Sequence, residues 1–95
     1  MKLWVIYILR CNDGTLYTGI TNNLDKRIET HARGQGSRYT RARLPLELVY
    51  QERASNRSEA TRREIALKRM TRSQKIKLLT ITQTGRTHAQ NNPMY

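Results

Sequence analysis

The chain has 95 residues, which is enough for one domain with a modest core. Its 18 Lys and Arg against 7 Asp and Glu give a formal charge of +11. So large an excess indicates a polyanionic partner, either nucleic acid or an anionic membrane surface, of which we expect nucleic acid. One cysteine and two histidines exclude an intrachain disulfide and cannot build a structural zinc site. The apolar run Leu3–Leu9 is too short to span a membrane and lacks the cleavage site of a signal peptide. We therefore expect a cytoplasmic protein with no membrane association and no zinc.

Periodicity and turn residues predict the element order β-β-α-β-α-α. Asn12-Asp13-Gly14 predicts a hairpin turn, and Pro45 opens a third strand. Helix caps are expected at Asn22 or Asn23, at Asn56 with Glu59, and at Thr71 with Gln74. Strands are expected at 3–10, 15–20 and 46–52. Helices are expected from Leu24 to near Gly34, over about 57–70, and, as a new short helix, from the cap at Thr71 to Leu79. A polar, basic loop is expected at 34–43, a single domain over residues 1–83, and a flexible C-terminal tail over residues 84–95.

Each strand of the predicted hairpin carries one tyrosine, Tyr7 or Tyr17. A two-residue turn would place the two phenols on opposite faces of the sheet, whereas a three-residue loop pairs Leu9 with Tyr17 and places both phenols on the same face. We expect the three-residue loop, because a shared face is what joint chemistry requires. Without such chemistry both would be ordinary half-buried strand tyrosines.

Glu64 is an acidic residue on the side of its predicted helix that also carries Ala60, Leu67 and Thr71. Since this side is expected to face the core, the carboxylate should be paired or bound to a metal. The alternative is an ordinary ion pair with Lys68, one helical turn further on, worth about 0.2–0.5 kcal/mol.

Two further groups of polar residues suit contacts with a nucleic-acid backbone. Arg27 and His31 share one helix face, which fits a phosphate contact. The alternative is that Arg27 extends along the helix and that His31 is a satisfied surface or core histidine. In the loop S-R-Y-T-R-A-R, Tyr39 stands between Arg38 and Arg41, with charge for phosphate and a ring for stacking or for a hydrogen bond. A solvated basic loop is the alternative there.

The ordered set of these residues, over roughly residues 3–80, resembles the GIY-YIG nuclease superfamily. The resemblance is greatest to its small stand-alone bacterial (YhbQ-like) members. The name-giving triplets appear as Val5-Ile6-Tyr7 and Tyr17-Thr18-Gly19, and the helix arginine as Arg27 with His31 one turn on. The pattern G-x-x-Y-T-R appears as Gly36–Arg41, and the acidic helix as R-E-I-A-L-K with Glu64. In two departures, Val5 replaces the first glycine, and Ile20 stands where some members carry a lysine that assists the base.

The resemblance implies an α+β fold with a small three-stranded antiparallel β-sheet flanked by helices, and a single-metal phosphodiesterase site. Glu64 would hold one Mg²⁺ or Mn²⁺, Arg27 would grip the scissile phosphate, and Tyr7 would take a proton from the attacking water. For this Tyr7 needs nearby positive charge, which Arg27 and the metal could supply. Tyr17 would orient Tyr7 or contact phosphate, while His31 and Tyr39 would help to place the DNA backbone. Further candidate substrate contacts are Arg38, Arg41 and Lys68.

The function that follows is a metal-dependent DNA endonuclease, non-specific or structure-selective, in DNA repair or recombination. One rival is a non-catalytic basic module that binds DNA or RNA. Another is a basic, RNA-associated structural protein. Both rivals need the basic surface, but neither needs a carboxylate beside the two phenols.

Overall fold

The computed structural model describes residues 3–85, and the side chains of residues 3–80 among them. The fold is α+β, with three antiparallel strands in the order β2-β1-β3. The strands are β1 (Trp4–Arg10), β2 (Leu16–Thr21) and β3 (Glu47–Ala54), and the helices are α1 (Leu24–Ala32), α2 (Arg38–Arg41), α3 (Arg57–Lys68) and α4 (Arg72–Gly85). The predicted fold class and order are confirmed, with the four-residue helix α2 added inside the segment predicted as a loop.

The hairpin has the three-residue loop that the sequence predicts. The amide of Cys11 donates to the carbonyl of Thr15 at 2.8 Å, and Leu9 pairs with Tyr17. Gly14 takes a positive φ of 86°, and the Asp13 carboxylate accepts from the Thr15 amide at 3.0 Å. Tyr7 and Tyr17 therefore lie on the same face of the sheet.

The two faces of the sheet carry different kinds of side chain, because successive strand residues alternate between them. Ile6 and Ile8 are fully buried and pack with Ala60 and Leu67 of α3, and side chains from α4 cover the rest of this face. Tyr7, on the opposite face, meets α1 through His31. The apolar core thus lies between the sheet and α3–α4, and the polar candidate site lies on the α1–α2 side.

The helix starts follow the predicted capping residues. Asn23, not Asn22, caps α1 and accepts from the amide of Lys26 at 3.2 Å. Asn56 accepts from the amide of Glu59 at 2.8 Å. Thr71 and Gln74 cap each other reciprocally, as a capping box does.

Two helix ends differ from the prediction. Helix α3 ends at Lys68, since the chain turns at Arg69 and Met70 to enter the capping box of α4. Helix α4 continues past Leu79 to Gly85, so the first two residues of the predicted tail are helical. The rest of the tail predicted for residues 84–95 lies outside the described residues, as do residues 1 and 2. Within the described part of the chain, no helix has the length and apolar character needed to cross a membrane.

Candidate active site

The phenol of Tyr7 is the centre of the polar site. Its side chain is about 1% exposed, and its oxygen accepts a hydrogen bond from Arg27 Nε at 3.3 Å and lies 2.9 Å from His31 Nε2. The ring lies over Gly19, its partner across the β1–β2 ladder. A Cβ at Gly19 would stand 2.5 Å from the phenolic oxygen. The glycine of the second triplet is therefore required by the position of the first triplet's tyrosine.

Tyr17 is held beside Tyr7 by a stack of side chains. The two ring centroids are 6.5 Å apart. On Tyr17 stacks Tyr39, with centroids 6.1 Å apart and an interplanar angle of 23°. The guanidinium of Arg43 lies 3.8 Å from the Tyr39 centroid, and its Nε donates to Asp13 at 2.9 Å. The segment around α2 is thereby fastened to the hairpin turn, and Tyr17 is packed in place.

Arg27 joins α1 to both the sheet and the segment before α2. Its Nε donates to Tyr7, and its Nη2 donates to the carbonyl of Gly36 at 3.2 Å. The hydrogen bond to Tyr7 is the largest cause of a raised pKa of Arg27, and the charge of Tyr17 acts in the same direction. Arg27 is thus a permanent cation next to both phenols, and not a side chain lying along its own helix.

His31 is a buried histidine with both ring nitrogens engaged. It is about 1% exposed, and its Nδ1 lies 3.0 Å from Thr40 Oγ1. Burial, and then the charge of Arg27, lowers the pKa of His31 to about 4. The imidazole is therefore neutral at pH 7, and its polar contacts are to Tyr7 and Thr40. A Cβ at Gly36 would clash with the ring, so this glycine lets the loop close over His31.

Tyr7 is protonated at neutral pH in the protein alone. Burial is the largest influence and raises the pKa of Tyr7 above 10.0, and the charges of Tyr17 and Glu64 raise it further. The hydrogen bond and the charge of Arg27 lower it, as the sequence predicts, but they do not outweigh burial. Arg27 alone therefore does not make Tyr7 a base at pH 7. The positive charge expected from the sequence comes from Arg27 together with the metal, and that stays a prediction.

Glu64 lies within electrostatic reach of Tyr7, although α3 packs on the other face of the sheet. Helix α3 contacts chiefly β2, the edge strand, and β1. Between the buried Ala60 and Leu67, the Glu64 side chain is 19% exposed. Its charge is the smallest of the influences that raise the pKa of Tyr7. Thr71, predicted on the same stripe, is exposed because α3 has already ended.

The ion pair offered above as an alternative for Glu64 is present. Lys68 Nζ lies 3.3 Å from Glu64 Oε2, with the lysine side chain 55% exposed. A pair this exposed is worth about 0.5 kcal/mol or less, so it leaves the carboxylate available to other cations. Lys68, a candidate substrate contact, is in this structure a partner of Glu64.

The donor set around Glu64 suits a hard divalent cation bound largely through water. No group of three or more His, Cys, Asp or Glu side chains able to hold a metal occurs within residues 3–85. A single half-buried carboxylate is the usual protein contribution to Mg²⁺, which keeps several waters and binds phosphate oxygens. Glu64 therefore fits Mg²⁺ or Mn²⁺ of this kind.

The substrate contacts predicted in the loop lie on α2. Arg38 and Arg41 are exposed, whereas Thr40, between them in sequence, is buried. Tyr39 is 37% exposed, but its ring is already engaged by Tyr17 and Arg43. Of the two interactions considered for Tyr39, a hydrogen bond from its hydroxyl is favoured over stacking on a base.

Two residues that order the site received no role from the sequence, and a third, Arg43, was expected only as a loop arginine offering charge to phosphate. Ser37 and Thr40 hydrogen-bond to each other at 2.9 Å beneath His31, and Arg43 holds Tyr39. Thr40 lies within the G-x-x-Y-T-R pattern, which is the signal that could have singled it out. Ser37 is the N-cap of α2, and its spacing to Thr40 is that of a capping serine to its third helical residue.

The comparisons with known proteins agree with this geometry. Residues 3–77 match the family model described as the GIY-YIG catalytic domain. A UPF0213 protein of Staphylococcus haemolyticus is 50% identical over 74 residues, covering 78% of this chain and 90% of that protein. A UPF0213 protein of Clostridium perfringens is 53% identical over 74 residues, covering 78% and 80%.

Two solved structures are similar along nearly the whole chain. The solution NMR structure of a UPF0213 protein from Bacillus halodurans has a TM-score of 0.57 and 35% identity, covering 93% of this chain and 99% of that one. That of a protein from E. faecalis has a TM-score of 0.60 and 33% identity, covering 100% and 96%. The chain therefore belongs to the GIY-YIG family, a nuclease family. Its high identity to small UPF0213 proteins places it in the small bacterial subfamily predicted from the sequence.

Proposed function

We propose that this protein is a metal-dependent DNA endonuclease that hydrolyses phosphodiester bonds. The observation that carries the proposal is the buried phenol of Tyr7, joined to a guanidinium and a neutral imidazole and lying within reach of the charge of Glu64. A nucleic-acid binder that performs no chemistry does not require this combination of contacts.

In the proposed reaction Tyr7 is the general base. As water attacks phosphorus, one water proton moves to the Tyr7 oxygen, and the proton of the phenol moves to His31 Nε2, which is 2.9 Å away. Arg27 stabilises the negative charge that develops on the phosphate. Tyr17, packed by Tyr39, keeps the Tyr7 ring in line and offers a hydroxyl to the phosphate.

Glu64 is the residue that would hold Mg²⁺ or Mn²⁺. When bound, the metal would supply positive charge for the phosphate and for the leaving 3′-oxygen, and it would lower the pKa of Tyr7. Lys68 would then be released from Glu64 and become free to contact a neighbouring phosphate. The raised pKa of Tyr7 in the free protein agrees with a base that is activated only in the loaded complex.

The proposed substrate contacts are made to the DNA backbone. Arg38 and Arg41 offer charge to phosphate, and contacts of this kind carry no sequence information. The Tyr39 ring is occupied within the protein, which argues against reading a base by stacking. Cleavage is therefore proposed to be non-specific or selective for DNA structure, as a role in repair or recombination requires.

The test is a cleavage panel with Mg²⁺ or Mn²⁺ over single-stranded, duplex, nicked and branched DNA, with an RNA arm. Glu64→Ala should abolish metal-dependent cleavage, while binding of DNA persists. Glu29→Ala is the matched control, because Glu29 is exposed and forms no ion pair within residues 3–85, and the charge change is the same. Tyr7→Phe, in the same panel, should lower the cleavage rate by at least about 100-fold. Undiminished cleavage by Glu64→Ala would remove the metal assignment.

A non-catalytic nucleic-acid binding module is the second candidate, and the observation in its favour is the ion pair between Lys68 and Glu64. If that pair is the whole role of Glu64, no DNA form will be cleaved with either metal. The same protein would still bind DNA or RNA, and Glu64→Ala would leave that binding unchanged.

A further inference from the structure

A continuous row of hydrogen bonds runs from Tyr7 through His31 and Thr40 and ends at Ser37. Tyr7 Oη lies 2.9 Å from His31 Nε2, His31 Nδ1 lies 3.0 Å from Thr40 Oγ1, and Thr40 Oγ1 lies 2.9 Å from Ser37 Oγ. Thr40 is fully buried, with an exposure of 0%. Because both groups are buried, the hydrogen bond between the Thr40 hydroxyl and His31 Nδ1 decides whether the ring proton of His31 lies on Nδ1 or on Nε2.

The partners of Thr40 indicate how the protons are arranged. The Thr40 hydroxyl donates to the carbonyl of Ser37 at 3.3 Å, and a carbonyl can only accept. We assign the Thr40 proton to this carbonyl, so that Oγ1 accepts from His31 and the single ring proton of the neutral imidazole lies on Nδ1. His31 Nε2 then presents a lone pair to the hydroxyl of Tyr7. A Thr40 hydroxyl that donated to His31 Nδ1 instead would place the ring proton on Nε2.

The loop before α2 fixes the position of Thr40. Ser37 is the N-cap of α2, and its hydroxyl accepts a hydrogen bond from the Thr40 amide at 3.1 Å. The carbonyl of Gly36 accepts a hydrogen bond from Arg27. The same glycine leaves room for the His31 ring. The backbone from Gly36 to Thr40 is therefore tied both to α1 and to the imidazole, and the hydroxyl has little freedom to turn away.

We propose that Thr40 is a positioning residue, which holds His31 in the Nδ1–H tautomer so that Nε2 can receive the proton of Tyr7. This inference rests on the proposed nuclease function and adds to it the residue that sets the proton acceptor. Thr40 does not touch the substrate. In the step it supports, water loses a proton to Tyr7 and Tyr7 loses its own to His31. The transient imidazolium then donates from Nδ1 to Thr40 and from Nε2 to Tyr7.

Nitrogen NMR of the imidazole tests the assignment without DNA or metal, so it is independent of whether the protein cleaves anything. The chain holds two histidines, and a His88→Gln background leaves His31 as the one ring in the spectrum. At pH 7 the protein should show a protonated Nδ1 and an unprotonated Nε2. Thr40→Val should move the proton wholly or partly to Nε2, and Thr40→Ser should restore the parent spectrum.

Thr18→Val is the matched control, because Thr18 is also a buried threonine but its hydroxyl has no hydrogen-bond partner among the described residues. It pairs with Ile8, so its side chain lies on the face of the sheet opposite to Tyr7. Thr18→Val should leave the His31 spectrum unchanged. If Thr40→Val does not fold, Thr40→Ala, which cannot overpack the site, replaces it.

Cleavage kinetics are the second measurement. Thr40→Val should lower kcat by about 10–100-fold with KM for DNA unchanged, as loss of the partner that orients a functional imidazole does, and Thr40→Ser should recover it. A parent spectrum with the proton on Nε2, or a folded Thr40→Val variant with the parent tautomer, would overturn the role of Thr40. Absence of cleavage together with the expected spectra would overturn the nuclease proposal and leave the tautomer assignment standing.

Discussion

At the scale of single residues, burial sets the protonation of the site. It raises the pKa of Tyr7 and lowers the pKa of His31, so both groups are neutral over a wide range around pH 7. A neutral imidazole can accept a proton, whereas an imidazolium cannot. The low exposure of the two side chains thus keeps an unprotonated imidazole beside the phenol, at the cost of making the phenol a weaker acid and the imidazole a weaker base.

The lowered pKa of His31 should appear in the stability of the protein towards acid. The unfolded chain protonates this imidazole near pH 6.5, and the folded protein only near pH 4. The stability that His31 contributes is therefore complete above pH 6.5 and is lost as the pH falls towards 4, by roughly 3 kcal/mol in total. The free energy of unfolding in urea, measured between pH 7 and pH 4, should decline more steeply for the parent than for His31→Gln.

The comparison of slopes isolates this imidazole, since the carboxylates and His88 are present in both proteins. The groups facing His31 are Tyr7, Tyr17, Arg27 and Thr40. The pKa values of Tyr7, raised by burial, and of Arg27, raised by its hydrogen bond to Tyr7, both lie above the chosen range. Parallel curves for the two proteins would contradict the lowered pKa, because the constant offset between them would report only the hydrogen bonds lost in His31→Gln.

At the scale of secondary structure, helix α1 supplies both side chains that hydrogen-bond to the Tyr7 hydroxyl, Arg27 and His31. They point the same way because they are one turn apart. The position of α1 along the chain is set by Asn23, which caps it and also donates its amide to Thr21 at the end of β2. The cap therefore links the start of α1 to the strand that carries Tyr17.

Asn23 and Asn22 offer a matched pair of variants for this link. Asn23→Ala should cost about 1 kcal/mol, because an amide of the first turn loses its acceptor, and should lower Tm by about 4–8 °C for a domain of this size. Asn22→Ala, one residue earlier at an exposed position outside the cap, should change Tm by less than half as much. Equal effects of the two variants in thermal unfolding would show that the cap does not stabilise α1.

At the scale of the whole molecule, positive charge exceeds what the protein neutralises internally. Four ion pairs engage Arg10, Arg43, Arg63 and Lys68 with carboxylates in the described part of the chain. With 18 Lys and Arg in the sequence, most cations are left for solvent or for a polyanion. Arg38 and Arg41 are exposed on α2, next to the candidate active site.

This distribution predicts a strong dependence of DNA affinity on salt. The logarithm of Kd plotted against the logarithm of salt concentration should be steep, and Arg38→Ala and Arg41→Ala should each reduce the slope by about 1. Arg10→Ala is the control, since Arg10 is already paired with Glu47 at 2.7 Å. Slopes that stay unchanged in both α2 variants would place the DNA elsewhere on the surface.

Much of the fold follows from local signals. Local signals limited the hairpin to two registers, and the three-residue loop was expected because a shared face suits joint chemistry; the observed register has that loop. The helix starts were predictable from capping residues. Helix α2 was not, since four residues of polar and basic character carry no periodic pattern.

The candidate site was predictable in its members but not in their contacts. The spacing along α3 allowed Glu64 to face the core or to pair with Lys68, and the structure has it half-buried and paired. For Tyr39, the composition of the loop suggested an open aromatic, whereas packing against Tyr17 and Arg43 occupies the ring.

The sequence by itself determined the order of the elements and the residues that can take part in chemistry, and it limited the hairpin to two registers, because these depend on neighbours within a few positions. Only the tertiary structure decided that Tyr7 meets His31, 24 residues away, and that His31 rests on Thr40, 9 residues further on. It also decided the protonation of both groups, since the exposure of a side chain depends on which distant segments cover it. A pattern of residue types cannot supply that, because the cost of desolvation arises only when the elements pack.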